Sequence, residues 1–270
     1  MLRVLTYNVR RCLGTDGRLS PERIAAVIAA CRPDVVALQE LDVGRRRTGG
    51  VDQAQAIADR LGMGSHFHPA LQVMEERYGD AILTALPSRL VRAEGLPGLA
   101  RRPGLEPRGA LWAAVAVRGR EVQVITTHLG LDRRERLAQV SALTGPRWLG
   151  DPACRAPVVL LGDLNAVPLS RAYRHLAARL TDAEGGPFGG WARPTFPARL
   201  PALRLDHIFV GGGIVSRGIR TLRAGEARLA SDHLPLVADL AFAPPRPGLA
   251  AAPLPARPAN PDDAGSHGRA

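Results

Sequence analysis

Several short strings in this sequence place acidic, amide or imidazole side chains where an apolar run stops. In VVLLGDLNAVP, four apolar residues lead through Gly162 to Asp163 and Asn165, which a strand's period of two would set on one side. An anion beside an amide there suits a metal ion together with a phosphoryl oxygen or an attacking water, although an Asx turn accounts for the same pair. VVALQE carries Glu40 out of a buried run. A half-buried carboxylate is costly unless a cation or a donor meets it, and a hard divalent ion would do so. Asn8 ends the opening run LRVLTYN; taken alone, Asn8 or Glu40 reads equally well as a polar cap on a loop. TTHLG and SDHLPL put His128, Asp232 and His233 at strand ends, and imidazole exchanges protons near neutral pH. Asp206, set among apolar residues in LRLDHIFV, suits holding an imidazole in one tautomer, while His207 beside it should face the other side of the strand. Arg108 in EPRGAL leaves a loop directly for a strand and offers a fork of donors to a phosphate. Arg101, Arg102 and the run Arg45, Arg46 and Arg47 read as solvated, with a part in substrate binding as the alternative.

The elements that must position these groups follow from periodicity. Alternation over residues 2–7 predicts a strand. Ser20 and Pro21 then open a helix whose Ile24, Val27, Ile28 and Cys31 share a face, and Pro33 stops it before the strand DVVALQE. VDQAQAIADRLG predicts a second helix, buried through Ala54, Ile57, Ala58 and Leu61 and ended by Gly62. Strands follow at DAILTAL, LWAAVAV and VQVITTHL, with residues 93–109 between the first two read as a long exposed loop rich in Gly, Pro and Arg. Asp132 caps a helix burying Leu137, Val140 and Ala138. Next come the strand through Asp163, a helix over SRAYRHLAARL, and the strands LRLDHIFV and LPLVADLAF around a glycine-rich turn and a weaker stretch. Strands outnumber helices and are not each followed by one, so two packed sheets with outer helices fit better than a barrel.

Composition sets the outer bounds. A chain of 270 residues with 46% hydrophobic content supports one substantial core, expected over residues 1–242, followed by a Pro- and Ala-rich tail over 243–270 with little to bury. No stretch reaches the length of a membrane-spanning helix, and the N-terminus goes straight into a strand pattern without a signal-peptide run, so a cytoplasmic monomer with no obligate protein partner is expected. The net charge of +11 invites a nucleic-acid partner, but the sequence contains no Lys, and its 36 basic residues, all Arg, reflect a bias of the whole chain. Cys12, Cys31 and Cys154 form neither a disulfide framework nor a zinc ribbon and read as small buried residues.

In order, TYNV, VVALQE, YGDAIL, EPRGAL, THLG, GDLNAVP, LDHIFV and SDHLPL resemble the motifs of the endonuclease/exonuclease/phosphatase superfamily, the DNase I-like group of nucleases, inositol polyphosphate 5-phosphatases and neutral sphingomyelinases. The resemblance spans about Leu2 to Leu240. It implies an α/β four-layered sandwich with two central mixed sheets and outer helices. By the same resemblance, Asn8 and Glu40 are metal-site residues and Asp232 assists there. Asp163 orients or deprotonates the attacking water, and Asn165 contacts phosphate or metal. His233, paired with Asp206, stabilises the transition state or moves its proton; His128 is the second histidine, and Tyr78 and Arg108 approach the phosphate. Two positions depart from many relatives: Arg10 stands where bacterial members carry histidine, and Asp80 where Asn is frequent.

The expected activity is Mg²⁺-dependent hydrolysis, with Mn²⁺ as the alternative ion, of a phosphodiester or phosphomonoester that is small or lipid-linked. A DNA or RNA endonuclease or exonuclease is the second reading, and an inactive phosphate-binding protein on the same fold the third. Scarce aromatics, 4% of residues, weigh against base stacking and so against the nuclease.

Overall fold

The computed structural model describes residues 1–185 and 193–243. Within them, one sheet runs in the order β11 (Ile214–Thr221), β12 (Leu236–Phe242), β1 (Leu2–Asn8), β2 (Val35–Val43), β4 (Glu76–Thr84), β3 (Gly64–Val73). The other runs β5 (Ser88–Gly95), β6 (Gly109–Val117), β7 (Arg120–His128), β8 (Val158–Asp163), β10 (Asp206–Gly211), β9 (Thr181–Asp182). Both are mixed: β1 with β2 and β7 with β8 are parallel pairs, and the remaining pairs are antiparallel.

Strand alternation explains the layering. Val4, Val35 and Ile82 point inward from the first sheet and meet Leu111, Val124 and Leu161 of the second. Their neighbours Leu5, Val36 and Leu38 point outward onto α1 (Pro21–Ala29) and α2 (Gln53–Leu61). Trp112, Ile125 and Phe209 do the same beneath α3 (Arg133–Leu143) and α4 (Arg171–Ala177). The result is the expected four-layered sandwich. Central strands buried on both faces need apolar residues at every position, which is why VVALQ and VVLLG read as unbroken runs.

Each main helix starts on a side-chain cap. Ser20 accepts from the Arg23 amide, Asp52 from Gln55, Asp132 from Arg134 and Glu135, and Ser170 from Tyr173, each worth about 1 kcal/mol. Gly62, at φ 63°, closes α2 in the left-handed conformation glycine adopts without penalty. In α3 the expected inner face is corrected: Leu137 and Ala138 are half-buried, and Glu135 and Gln139 turn inward with Val140 and Leu143. Gln139 Oε1 accepts from the Gly130 amide at 2.9 Å, so this helix supports the loop that follows His128.

The loop expected over 93–109 is shorter than anticipated, because β5 extends through Gly95 as an exposed edge strand paired with β6. β3 and β11 are also edge strands that the apolar pattern did not announce. Among the described residues no helix is long and apolar enough to cross a membrane. The three cysteines are buried and unpaired. The tail expected from 243 onward lies, from residue 244, outside the described residues.

Candidate active site

The second sheet contributes three adjacent strand ends. Parallel pairing of β7 with β8 sets His128 beside Asp163, and antiparallel pairing of β10 with β8 sets Asp206 beside Asp163 on the other flank. Like charges directly across a strand pair repel. His233, from the segment before β12 of the first sheet, resolves that repulsion: its Nδ1 lies 2.8 Å from Asp206 Oδ2 and its Nε2 3.6 Å from Asp163 Oδ2. Ser231 Oγ donates to the Asn8 carbonyl at 2.7 Å and fixes that segment on β1.

The first sheet contributes Asn8 and Glu40. β2 pairs with β1 on one side and β4 on the other, and its register with β4 shifts between Leu38 and Leu41. At this bulge Glu40 has φ 62°, a left-handed conformation costing about 1–3 kcal/mol in a non-glycine residue, and one often found where a side chain is aimed for function. Asn8 Nδ2 donates to Glu40 Oε1 at 2.9 Å and to Asp163 Oδ2 at 3.0 Å, joining carboxylates of opposite sheets. Its Oδ1 accepts from the Arg10 amide at 3.0 Å.

Beyond Asp163 the strand period does not continue. Asn165 has φ 47°, and its amide donates to Asp163 Oδ1 at 2.8 Å. The Asx turn and the site pairing, alternatives in the sequence, are therefore the same feature. Asn165 Nδ2 donates to the Leu129 carbonyl at 2.9 Å and approaches His128 Nε2 at 3.0 Å. Gly162 is required: a Cβ there would stand 1.9 Å from the Thr127 carbonyl oxygen.

Arg108, buried immediately before β6, brings Nη1 to 2.8 Å from His128 Nδ1 and 2.9 Å from Glu106 Oε1. Arg108 Nη1 also lies 3.2 Å from His128 Nε2, which stands 3.5 Å from Asp163 Oδ2. Burial, followed by the charges of Arg108 and His233, holds the His128 pKa well below its ordinary value. His233 behaves oppositely. Burial alone would lower its pKa, but Asp206 and Asp163 outweigh burial and raise it to about 10. Burial pushes Asp163 up to about 6 against the opposing pull of His233. Burial also pushes Asp80, on β4, up to about 8; Glu40 adds to this and Arg108 works against it.

Asn8, Glu40, His128, Asp163, Asn165, Asp206, His233 and Arg108 thus form one connected constellation. Tyr78 is buried at its margin, where Glu40 raises its pKa further after burial, and its ring lies 5.6 Å from the Arg47 guanidinium. Asp232 is half-exposed: its carboxylate meets Arg10 Nε at 3.5 Å, and no hydrogen bond joins it to Asn8 or Glu40. His207 faces the opposite side, as expected, packing at a tilt against Tyr173, stacking on Phe209 and donating from Nε2 to the Ala166 carbonyl at 2.8 Å. The solvated reading is corrected for Arg45, while Arg47 stays exposed at 43% yet is tied down. Arg47 makes two 2.7 Å bonds to buried Asp42, and Arg45 lies 3.4 Å from Glu76. Sequence reasoning missed Glu106, although it stands in the same EPRGAL string as Arg108. It also missed Phe196, whose ring centroid is 4.9 Å from that of His233 and which comes from an irregular segment with no periodic signal.

Oxygen and nitrogen atoms of Asp163, Asp206 and His233 lie within 4.8 Å of one another, a donor set able to hold a divalent cation. Two further observations fit such an ion. Glu40 has no cationic partner among the described residues, and Asp206 Oδ1 is buried without a hydrogen bond.

Residues 5–233 match the model of the Endonuclease/Exonuclease/phosphatase family. Over 255 residues the chain is 27% identical to the uncharacterized protein YbhP of Escherichia coli K12, spanning 88% of this chain and 95% of that protein. Among solved structures, an endonuclease/exonuclease/phosphatase from Beutenbergia cavernae superposes with a TM-score of 0.71 at 25% identity, covering 90% of this chain and 72% of that one. A mannosyl-6-phosphatase of Bacteroides thetaiotaomicron gives a TM-score of 0.71 over 90% of this chain and 100% of its own, at 19% identity, a likeness of fold alone.

Proposed function

The chain belongs to the endonuclease/exonuclease/phosphatase family, and on that footing we propose that it hydrolyses a phosphoester with the help of a divalent cation, Mg²⁺ or Mn²⁺, held by Glu40 and Asn8 with Asp232 assisting from the edge. The observation that carries this reading is the convergence on Asp163 Oδ2, which takes the Asn8 amide at 3.0 Å and faces His128 Nε2 at 3.5 Å and His233 Nε2 at 3.6 Å. The imidazole distances are too long for strong direct bonds, so both rings face this carboxylate without consuming its acceptor capacity.

When bound, the cation offsets the charge that grows on the phosphoryl oxygens as the bond to the leaving group breaks. The chain's own groups do the rest. Asp163 orients the attacking water and takes its proton, a task suited to a carboxylate raised toward neutrality. His233, cationic through Asp206, donates to a phosphoryl oxygen or to the departing oxygen. His128, kept neutral by burial beside Arg108, faces the same phosphate and is held in place by Arg108 and Asn165. Asn165 and Arg108 position the phosphate, and Tyr78 closes the wall beside Glu40. Fixed donors of this kind are worth more where they are already oriented before reaction.

A small or lipid-linked phosphoester is the favoured substrate, because the described aromatic side chains are few and buried or half-buried, and those that border the site, Tyr78 and Phe196, are too few to stack a run of bases. The test is hydrolysis of bis(p-nitrophenyl) phosphate, p-nitrophenyl phosphate, phospholipid vesicles and duplex DNA with Mg²⁺ or Mn²⁺. Turnover of the small or lipid esters that EDTA abolishes is expected. Turnover indifferent to EDTA overturns the metal assignment, and cleavage of DNA alone, steeply weakened by salt, replaces it with the nuclease reading.

A further inference from the structure

Beside the constellation lies a basin of about 1050 Å³ that meets it at Asn165. Its walls come from the loop between β5 and β6, the start of α3, and the segment between β8 and α4. Arg101, Arg102, Arg133, Arg134, Arg136 and Arg171 line it, and Asp132 is the one carboxylate. Asp132 is already committed: it caps α3 and pairs with Arg102 at 2.9 Å. Arg136 Nη1 is also committed, donating to the Gly130 and Leu131 carbonyls at 3.0 and 2.7 Å. Arg101, Arg133, Arg134 and Arg171 are exposed and have no carboxylate within ion-pair distance among the described residues.

The chain's bias toward arginine does not explain this lining, since six of the 17 lining residues are arginine against 36 basic residues in 270 overall. Nor do the four free guanidiniums help the fold, because they gather like charge on one concave wall. A concave surface with several unpaired guanidiniums is complementary to phosphate oxygens, which the planar fork accepts in pairs. At this volume the basin holds more than a single phosphate group.

We propose that the basin is a subsite for a second phosphate group of the substrate, so that the enzyme prefers phosphoesters carrying another phosphate beside the one it hydrolyses. This rests on the phosphoester hydrolase reading, but its binding component does not depend on turnover. The second phosphate has two sources, a bisphosphorylated small molecule or the neighbouring phosphate of an oligonucleotide, and matched pairs of probes separate them.

The experiment compares glucose 1,6-bisphosphate with glucose 1-phosphate, and the dinucleotide pdTpdT with dTpdT. Binding is read by calorimetry and turnover by product release, all with Mg²⁺, in the wild-type protein and in Arg133→Ala/Arg171→Ala. Both substituted residues are exposed, and bis(p-nitrophenyl) phosphate hydrolysis should be unchanged in the variant. For at least one pair, the doubly phosphorylated member should bind at least tenfold more tightly than its partner, with a lower KM, and the variant should lose that advantage. The pair that shows it identifies the source. Equal binding within both pairs, or an advantage that survives in the variant, overturns the subsite. Absence of turnover of p-nitrophenyl phosphate, bis(p-nitrophenyl) phosphate and all four probes in the wild type, with the binding preference intact, overturns the hydrolase reading alone.

Discussion

Replacing Asp206 with Asn keeps the shape of the His233 contact and removes its charge. Asp206 is fully buried and its Oδ2 lies 2.8 Å from His233 Nδ1. Charge centres ~4 Å apart at an effective dielectric of ~20 attract by about 4 kcal/mol, which corresponds to a change of about three in the imidazole pKa. Removing that charge should move His233 from about 10 to about 7, with burial now pressing it down against Asp163 and Asp232. In the wild type, activity that needs the His233 proton is present throughout the neutral range and fades only as pH rises through about 10. In the variant it should fade around pH ~7, leaving about a tenth of the imidazoles protonated and kcat about tenfold lower at pH ~8. The linked stability has the same sign. Because the folded-state pKa is raised, the stabilisation is complete below about pH 6.5, is lost as pH rises through about 10, and is largely missing from the variant. The assay is the pH profile of kcat/KM on bis(p-nitrophenyl) phosphate with Mg²⁺, paired with NMR titration of the His233 ring. Superimposable alkaline limbs in the two proteins would refute the role given to Asp206.

Three other substitutions probe the supports of the site. For Asp80→Asn in EDTA, the wild-type folded state holds a proton that the unfolded chain releases between about pH 4 and 8, so wild-type stability falls as pH climbs through that window. Scanning calorimetry should show equal Tm values below about pH 4 and a rising advantage for the variant up to about pH 8; a constant difference at every pH contradicts this. Arg204→Met removes the cation from buried Asp182, whose oxygens lie 2.6 and 2.8 Å from the guanidinium, and leaves Glu184, at 2.8 Å from it, with Arg193 at 3.2 Å. A loss of about 3–5 kcal/mol in urea unfolding is expected, and a loss under about 1 kcal/mol counts against the buried network. Gly162→Ala places a methyl 1.9 Å from the Thr127 carbonyl oxygen, so β7 and β8 must separate. Both Tm and turnover should drop, with a stability cost of about 1–3 kcal/mol; full activity would mean that the β7–β8 register does not position Asp163.

The sandwich was legible wherever burial dictates sequence. The central strands β1, β2, β7, β8, β10 and β12 carry apolar residues on both faces, and in β1, β7, β8 and β10 a polar residue at the strand's end belongs to the site, whereas β2 runs on past Glu40 to Val43 and Asp239 of β12 pairs with Arg3 and Arg220. The strands β3, β5 and β11 were missed because they lie at sheet edges, where one face meets solvent and arginines are tolerated. Strand-end logic found Asp163, His128 and Asp206, since their neighbours across the sheet follow from register. It could not foresee that Glu40 is aimed by a bulge, because a one-residue register shift leaves no mark in hydrophobic periodicity. Asp232 has the right neighbours in sequence, yet its carboxylate turns to Arg10, a partner arriving from a loop whose residues Arg10, Arg11 and Cys12 all have positive φ.

The most direct test is calorimetric titration of Mn²⁺ into the wild-type protein, Glu40→Gln and His233→Asn. If Glu40 and Asn8 hold the ion while His233 moves a proton, Glu40→Gln weakens Mn²⁺ binding at least tenfold, and His233→Asn binds Mn²⁺ almost as the wild type does while losing turnover. Unweakened binding in Glu40→Gln together with lost binding in His233→Asn would place the ion on the Asp163, Asp206 and His233 cluster and contradict the account.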